Sequence, residues 1–146
     1  MKTRIFALVI GIAFLLAGLL GFVPALRNIG GHVMPPLAVN ATTGFLLGLF
    51  PVNVLHNIVH LLVGVLGIGA YSSYGAARGF SRGLAIFYLL LAIMGLIPVL
   101  NTTFGLIPIF GADIWLHALT ALLAAYFGFL APREDADNDF VMTRNA

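Results

Sequence analysis

The sequence contains no cysteine and very little charge. Only 8% of its 146 residues are charged, whereas 61% are hydrophobic. Without cysteine the chain can form no disulfide, no thiolate metal cluster and no cysteine nucleophile. A water-soluble domain carries roughly 25% charged residues, so this composition is typical of a protein in a lipid bilayer. The seven basic residues are scattered and form no patch, which argues against a nucleic-acid partner.

Four segments are apolar enough to be transmembrane helices, each of which needs roughly 20 residues. They are residues 5–23, 53–74, 84–100 and 114–130. The first follows a basic start, as in a signal peptide, but it exceeds the roughly 7 to 15 apolar residues of such a peptide, so we expect a retained helix. The sequence therefore predicts an all-α integral membrane protein with a four-helix domain over residues 1–132.

Basic residues orient the predicted helices. Six of the seven fall on one side of a four-span chain, and only Arg27 falls on the other. The six are Lys2, Arg4, Arg78, Arg82, Arg133 and Arg144. By the positive-inside rule, we expect both termini in the cytoplasm. Residues 75–83 are then predicted to be a short cytoplasmic turn, and residues 133–146 a flexible acidic tail.

The two connections predicted on the outer face, residues 24–52 and 101–113, are unusually apolar. Each contains an apolar stretch, at residues 44–50 and 104–110, that is too short to span a membrane. We expect both connections to form half-buried caps. Their backbone must then be covered by protein or folded as a helical turn.

An internal repeat with an offset of 61 residues runs through the chain. The offset aligns eight identical pairs, among them Asn40 with Asn101 and His56 with His117. The repeat predicts two hairpins of helix, outer cap and helix, related by an axis along the membrane normal. On this interpretation His56 and His117 lie at the same depth.

Rare polar residues share one face of the second predicted helix. They are Asn53, His56, Asn57 and His60, which follow the spacing i, i+3, i+4, i+7. The same face continues through Gly64 and Gly67. Because hydrocarbon offers polar groups no partners, we expect this face to meet another polar face inside the protein.

The fourth predicted helix repeats this design with Asp113, His117 and Thr120. Asp113 is the only acid outside residues 133–146. It can cap the helix by accepting bonds from free backbone N–H groups, which is the interpretation we favour. It can also accept the ring proton of His117 one turn later. We expect the polar faces of the second and fourth helices to meet each other.

Several kinds of chemistry fit this candidate polar cluster. His56, His60 and His117 can supply three nitrogen ligands to zinc or copper, with Asp113 as a fourth ligand or a supporting partner. Histidines on two helices can also ligate a haem from opposite sides. The interpretation we favour is a chain of hydrogen bonds that joins the helix ends to the outer caps, and a path for protons or small solutes is a further alternative. His32 is interpreted as a solvent-facing loop residue.

The sequence resembles a bacterial membrane family catalogued as domain of unknown function family 4383. The resemblance rests on the run from Gly48 to Gly64, which contains Pro-Val-Asn-x-x-His-Asn-x-x-His, and on the later run from Asp113 to Thr120. It covers about residues 1–132. It implies a four-helix architecture and a bacterial inner membrane, and it implies no catalytic residue.

The absence of a catalytic set leads us to expect a non-enzymatic protein. The leading hypothesis is an accessory or scaffold subunit of a larger membrane complex, with other membrane subunits or a second copy of the chain as partners. One alternative is a metal- or haem-binding redox or sensing protein that uses the histidines. Another is a proton or small-solute carrier.

Overall fold

Four apolar runs fold into α-helices, and the chain is mostly helical. The computed structural model describes residues 1–27 and 33–132, so His32 and the predicted acidic tail lie outside the described residues. The helices are α1 (Lys2–Leu20), α2 (Val54–Ala70), α3 (Tyr74–Gly95) and α4 (Ala112–Ala125). A 3₁₀ turn, Pro24–Leu26, follows α1, and α4 continues into a π-helical turn, Tyr126–Leu130.

Three of the described helical segments are long and apolar enough to cross a membrane. They are Lys2–Leu20, Tyr74–Gly95 and Ala112–Leu130. The helix Val54–Ala70 is also apolar but has only 17 residues, which corresponds to a length of about 25 Å. The second helix was predicted over residues 53–74, but it ends at Ala70, four residues earlier than predicted.

Helix α3 begins ten residues before its predicted start at residue 84. The predicted turn over residues 75–83 is wrong, because this segment forms the first turns of the helix. Ser73 caps the helix by accepting a 3.1 Å hydrogen bond from the Ala76 backbone N–H. Arg78 joins this segment to the π-helical turn that follows α4, since its Nε donates to the carbonyl of Gly128 at 3.0 Å. Such bonds between distant residues cannot be predicted from the local sequence.

The first outer connection forms a β-hairpin rather than a helical turn. Strands β1 (Gly44–Leu46) and β2 (Phe50–Val52) pair antiparallel, with Phe45 opposite Pro51. Their side chains are mostly buried, as expected for a cap covered by protein. Strand pairing, together with bonds to other segments such as the Leu47 N–H to the Leu26 carbonyl at 2.8 Å, satisfies backbone polar groups in this cap without a helix.

The second outer connection, between α3 and α4, folds as a series of turns that contacts the first. The Ala38 N–H donates to the Gly105 carbonyl at 2.8 Å, which joins the two connections. Thr42 and Thr103, a pair aligned by the 61-residue offset, both adopt positive φ, at 54° and 46°. Non-glycine residues rarely adopt this conformation, so the two connections share an uncommon local geometry.

Helix α1 packs chiefly on α2, and α3 chiefly on α4. A Cβ atom at Gly11 in α1 would lie 2.6 Å from the Ile68 nitrogen, and one at Gly64 in α2 would lie 2.6 Å from the Leu15 nitrogen. Gly64 and Gly67 thus permit close contact between α1 and α2. The expectation that the whole face of α2 meets α4 is wrong. The glycines of this face contact α1, and only its polar residues approach α4.

Candidate metal centre

Asn53 joins the start of α2 to both outer connections. Its Oδ1 accepts a 3.0 Å hydrogen bond from the His56 backbone N–H, which caps the helix. Its Nδ2 donates to the carbonyls of Val39 and Leu106, at 3.0 and 2.6 Å. All the polar atoms of this buried side chain are therefore used in holding the backbone, and Asn53 is a positioning residue for the histidines that follow.

Asn57 lies on the α1 side of α2 and not among the histidines. Its amide nitrogen lies 3.5 Å from the Thr42 hydroxyl. A Cβ atom at Gly21, just after α1, would overlap the Asn57 side chain. Of the six residues in the predicted cluster, Asn53 and Asn57 thus anchor the connections, and the other four face one another.

Asp113 lies inside the first turn of α4, and its side chain points to the histidines. The helix begins two residues earlier than predicted, with Gly111 as the N-cap and no side-chain cap. The prediction that Asp113 caps α4 is therefore wrong. Its Oδ2 lies 3.4 Å from His117 Nε2 and 3.9 Å from His56 Nε2, and the residue is 0% exposed.

The histidines of α2 and α4 converge on this carboxylate. His56 Nε2 lies 3.1 Å from His60 Nε2, one helical turn away. The His56 and His117 rings, on different helices, have centroids 6.3 Å apart. All three histidines are buried, with exposed fractions of 5% or less. Four potential ligands are thus held close together within the protein.

The spacing of the ligand atoms suits one metal ion. One ligand atom each from His56, Asp113 and His117 lie within 4.8 Å of one another. In a tetrahedral zinc site with Zn–N bonds of about 2.0 to 2.1 Å, neighbouring ligand atoms are about 3.3 Å apart. Asp113 Oδ2 lies 3.4 Å from His117 Nε2 and 3.9 Å from His56 Nε2, close to that value. His60 is outside this group of three, and its Nε2 lies 3.1 Å from His56 Nε2. The three ligand atoms would therefore have to move closer together to coordinate one ion.

A cavity of about 50 Å³ lies against the three histidines. Tyr88 of α3 and the outer-connection residues Ile107 and Ile109 complete part of its wall. The cavity has room for a water molecule or two, each of which occupies about 30 Å³ in the liquid. The centre therefore has space for an additional small ligand on an ion.

Tyr88 also belongs to this region, although no sequence pattern predicted it there. Its ring contacts that of His117 edge to face, with centroids 5.1 Å apart, and it is 1% exposed. The only local signal is a tyrosine, which needs a polar partner, in the middle of an apolar helix. The backbone carbonyls of Pro51 and Pro108 also approach His56, and no sequence pattern indicates them.

Comparison with known proteins identifies a family and no function. The family model described as Domain of unknown function (DUF4383) matches residues 4–130. No curated protein and no solved structure shows significant similarity to the chain.

Proposed function

The chain belongs to the DUF4383 family, and from that premise we propose that it is a membrane protein that binds a divalent transition metal. The ion lies between α2 and α4. His56, Asp113 and His117 are its ligands, and His60 is the fourth. The observation that carries this proposal is the convergence of ligand atoms from His56, Asp113 and His117 within 4.8 Å of one another across two helices. His60 Nε2 lies 3.1 Å from His56 Nε2.

Charge and ligand type favour a metal at this position. Asp113 is buried, and within the described residues neither of its oxygens accepts a hydrogen bond of good geometry. A buried carboxylate in this condition is costly, and a bound cation offsets the cost. The ligands are imidazoles and a carboxylate, a combination that suits divalent first-row metals such as zinc rather than soft ions that prefer sulfur.

The available space favours a metal ion over haem. A cofactor of haem size requires a pocket of roughly 300 Å³ or more. The cavity beside the histidines has about 50 Å³.

We also propose that the protein crosses a bacterial inner membrane four times, with both termini in the cytoplasm. Three long apolar helices support this placement. Lys2, Arg4, Arg78 and Arg82 all belong to the helix ends remote from the polar cluster, in agreement with the positive-inside rule. The matched conformations of Thr42 and Thr103 support a repeat of two hairpins.

A bound ion has a clear structural consequence in this arrangement. The two hairpins, α1 with α2 and α3 with α4, have their main contacts internally. A metal held by His56 and His117 links one hairpin to the other. Its binding free energy then stabilises the assembled bundle, as for other metals that bind only the folded state.

Metal analysis of the purified protein tests the proposal. The full chain in mild detergent is exposed to zinc, passed through a desalting column and analysed for metal. We expect about one zinc ion per chain, and loss of zinc from the His56→Ala with His117→Ala variant. Thr120→Val, a buried change one turn further along α4, is the matched control and should retain zinc. Equal zinc content in all three proteins would overturn the proposal.

A proton relay is the second candidate, supported by the 3.1 Å contact between His56 and His60, which is within hydrogen-bond distance. Proton flux into liposomes should then fall strongly in the His56→Ala with His117→Ala variant, and unchanged flux would exclude it. The accessory-subunit hypothesis stays a prediction. Co-purification of a membrane partner with the full chain in mild detergent would support it.

A further inference from the structure

A second concave site lies at the end of the bundle remote from the histidines. It is formed by the first turns of α3 and has a volume of about 420 Å³. Its lining residues are Tyr74, Gly75, Arg78, Gly79 and Arg82. A Cβ atom at either glycine would meet nothing within 4 Å, so the helix backbone forms an open floor between the two arginines.

The two arginines are held in place by one carbonyl group. The Nε atoms of Arg78 and Arg82 both donate to the Gly128 carbonyl, at 3.0 and 2.8 Å. Arg78 Nη1 also donates to the Tyr74 hydroxyl at 2.6 Å. Within the described residues, neither Nη atom of Arg82 donates to a protein group. Arg78 Nη2 lies 3.5 Å from the Phe129 carbonyl, so the open donors of the pair are mainly those of Arg82. Two fixed guanidinium groups, one of them with open donors, suit the oxygens of a phosphate.

No described carboxylate neutralises this end of the bundle. Asp113, the only acid among the described residues, is at the start of α4. It is about 22 Å along the helix from Gly128, at a rise of about 1.5 Å per residue. Lys2 and Arg4 add further positive charge to the same end, because Arg4 Nε bonds to the Tyr71 carbonyl beside α3. Among the described residues, this end of the bundle therefore has an excess of positive charge.

An apolar groove adjoins the arginines. Arg82 lies over the ring of Phe129, 5.3 Å from its centroid. The same phenylalanine lines a groove of about 320 Å³ between α3 and α4, together with Ala85, Leu89, Leu122 and Ala125. A cationic site continuous with an apolar groove matches a molecule that has an anionic head and a hydrocarbon chain, and a free phosphate would leave the groove unfilled.

We propose that Arg78, Arg82 and Tyr74 bind the phosphate group of an anionic phospholipid, with an acyl chain in the groove between α3 and α4. Under the proposed orientation, this end lies at the level of the cytoplasmic headgroups, where anionic lipids attract basic residues. The inference does not depend on the metal centre. Failure of either proposal leaves the other intact, because the two sites share no residue.

Native mass spectrometry of the full chain in mild detergent tests the lipid site. Equal amounts of phosphatidylglycerol and phosphatidylcholine are added, and the bound fractions are compared. We expect selective binding of phosphatidylglycerol. The Arg78→Gln with Arg82→Gln variant should bind it about thirtyfold more weakly, since each basic residue near an anionic lipid contributes about a factor of five. Lys2→Gln, which removes a charge at the same end but does not line the site, is the control and should weaken binding by no more than about fivefold.

A second variant separates a lipid from a free phosphate. Ala125→Trp fills the groove without changing any charge, and we expect it to weaken phosphatidylglycerol binding while circular dichroism shows unchanged helix content. Glycerol phosphate, which has the headgroup chemistry but no acyl chain, should compete poorly. Equal binding by the double arginine variant, or an equal loss in Lys2→Gln, would overturn the site in favour of diffuse charge attraction. Full competition by glycerol phosphate would overturn the lipid assignment.

Discussion

Replacement of Asp113 by asparagine tests whether this side chain binds a metal ion or only stabilises the fold. The side chain is buried, and its nearest polar contacts are His117 Nε2 at 3.4 Å and His56 Nε2 at 3.9 Å. A buried carboxylate with such weak partners costs free energy of folding, and an amide of nearly the same shape costs less. In a protein kept free of metal by a chelator, we expect Asp113→Asn to change stability by between 0 and about +2 kcal/mol.

Addition of zinc should make the unaltered chain more stable than the Asp113→Asn variant. At a free zinc concentration of 100 times Kd, the metal stabilises the unaltered chain by about 2.7 kcal/mol. Loss of a group that only hydrogen-bonds a metal ligand lowers affinity by roughly 10- to 100-fold, so we expect loss of a ligand itself to lower it by at least roughly a hundredfold. At the same zinc concentration, the variant then gains only about 0.4 kcal/mol. The zinc-dependent stabilisation should therefore fall by about 2.3 kcal/mol.

Thermal unfolding in mild detergent, followed by circular dichroism, provides the assay. Each protein is heated with chelator and then with zinc, and the change in Tm is compared. Thr120→Val is again the control, because it alters a buried side chain on the same face of α4 without removing a ligand, and it should keep the full zinc-dependent shift. If Asp113→Asn lowers Tm equally with chelator and with zinc, or keeps the full shift, the reasoning is refuted.

Three further predictions concern packing, capping and orientation. Gly11→Ala should destabilise the protein by about 1 to 3 kcal/mol, because the added Cβ atom would meet the backbone of α2. Gly83→Ala is the control: its Cβ atom would meet no other atom within 4 Å, so it should be neutral or stabilising in the same unfolding assay. Asn53→Ala should lower Tm more than Ser73→Ala, because Asn53 makes two carbonyl bonds besides its helix cap; equal losses would contradict this role. Since the chain has no cysteine, a single introduced cysteine reports the orientation of its segment in the membrane. A membrane-impermeant maleimide should label Leu49→Cys in intact cells, and Ser73→Cys only after permeabilisation. The reverse pattern would contradict the proposed orientation.

Periodicity and spacing predicted the parts of the molecule that depend on local sequence. Long apolar runs indicated the helices, and the spacing of His56 and His60 placed both on one face of α2. The same spacing relates Asp113 to His117 on α4. These pairs are neighbours on any α-helix, whatever surrounds it, so their proximity needed no knowledge of the tertiary structure.

The remaining features depend on contacts between distant residues. Helix α3 extends through residues 75–83 because arginine side chains bond to α4, and its glycines otherwise resemble a turn. The β-hairpin requires Leu47 at φ 53°, a conformation that leucine rarely adopts, so the sequence gives little turn signal there. Likewise, the glycine face of α2 indicates a close neighbour without indicating which helix, and that neighbour is α1.

The position of Asp113 shows how a small shift of a helix boundary changes a functional interpretation. A start at residue 114 makes Asp113 a cap that faces the helix end. The observed start at Ala112 places its side chain in the first turn, beside His117 and opposite His56. Helix boundaries commonly vary by one or two residues, and here that difference separates a capping group from a metal ligand.

X-ray absorption spectroscopy at the zinc edge tests the central claim most directly. The full chain, loaded with zinc and freed of excess metal, should show a first shell of about four nitrogen or oxygen atoms at about 2.0 to 2.1 Å. It should also show the outer-shell scattering of at least two imidazole rings, and this signal should disappear with the metal in the His56→Ala with His117→Ala variant. A zinc shell of oxygen alone without imidazole scattering, or an imidazole signal unchanged in that variant, would contradict a metal centre between α2 and α4.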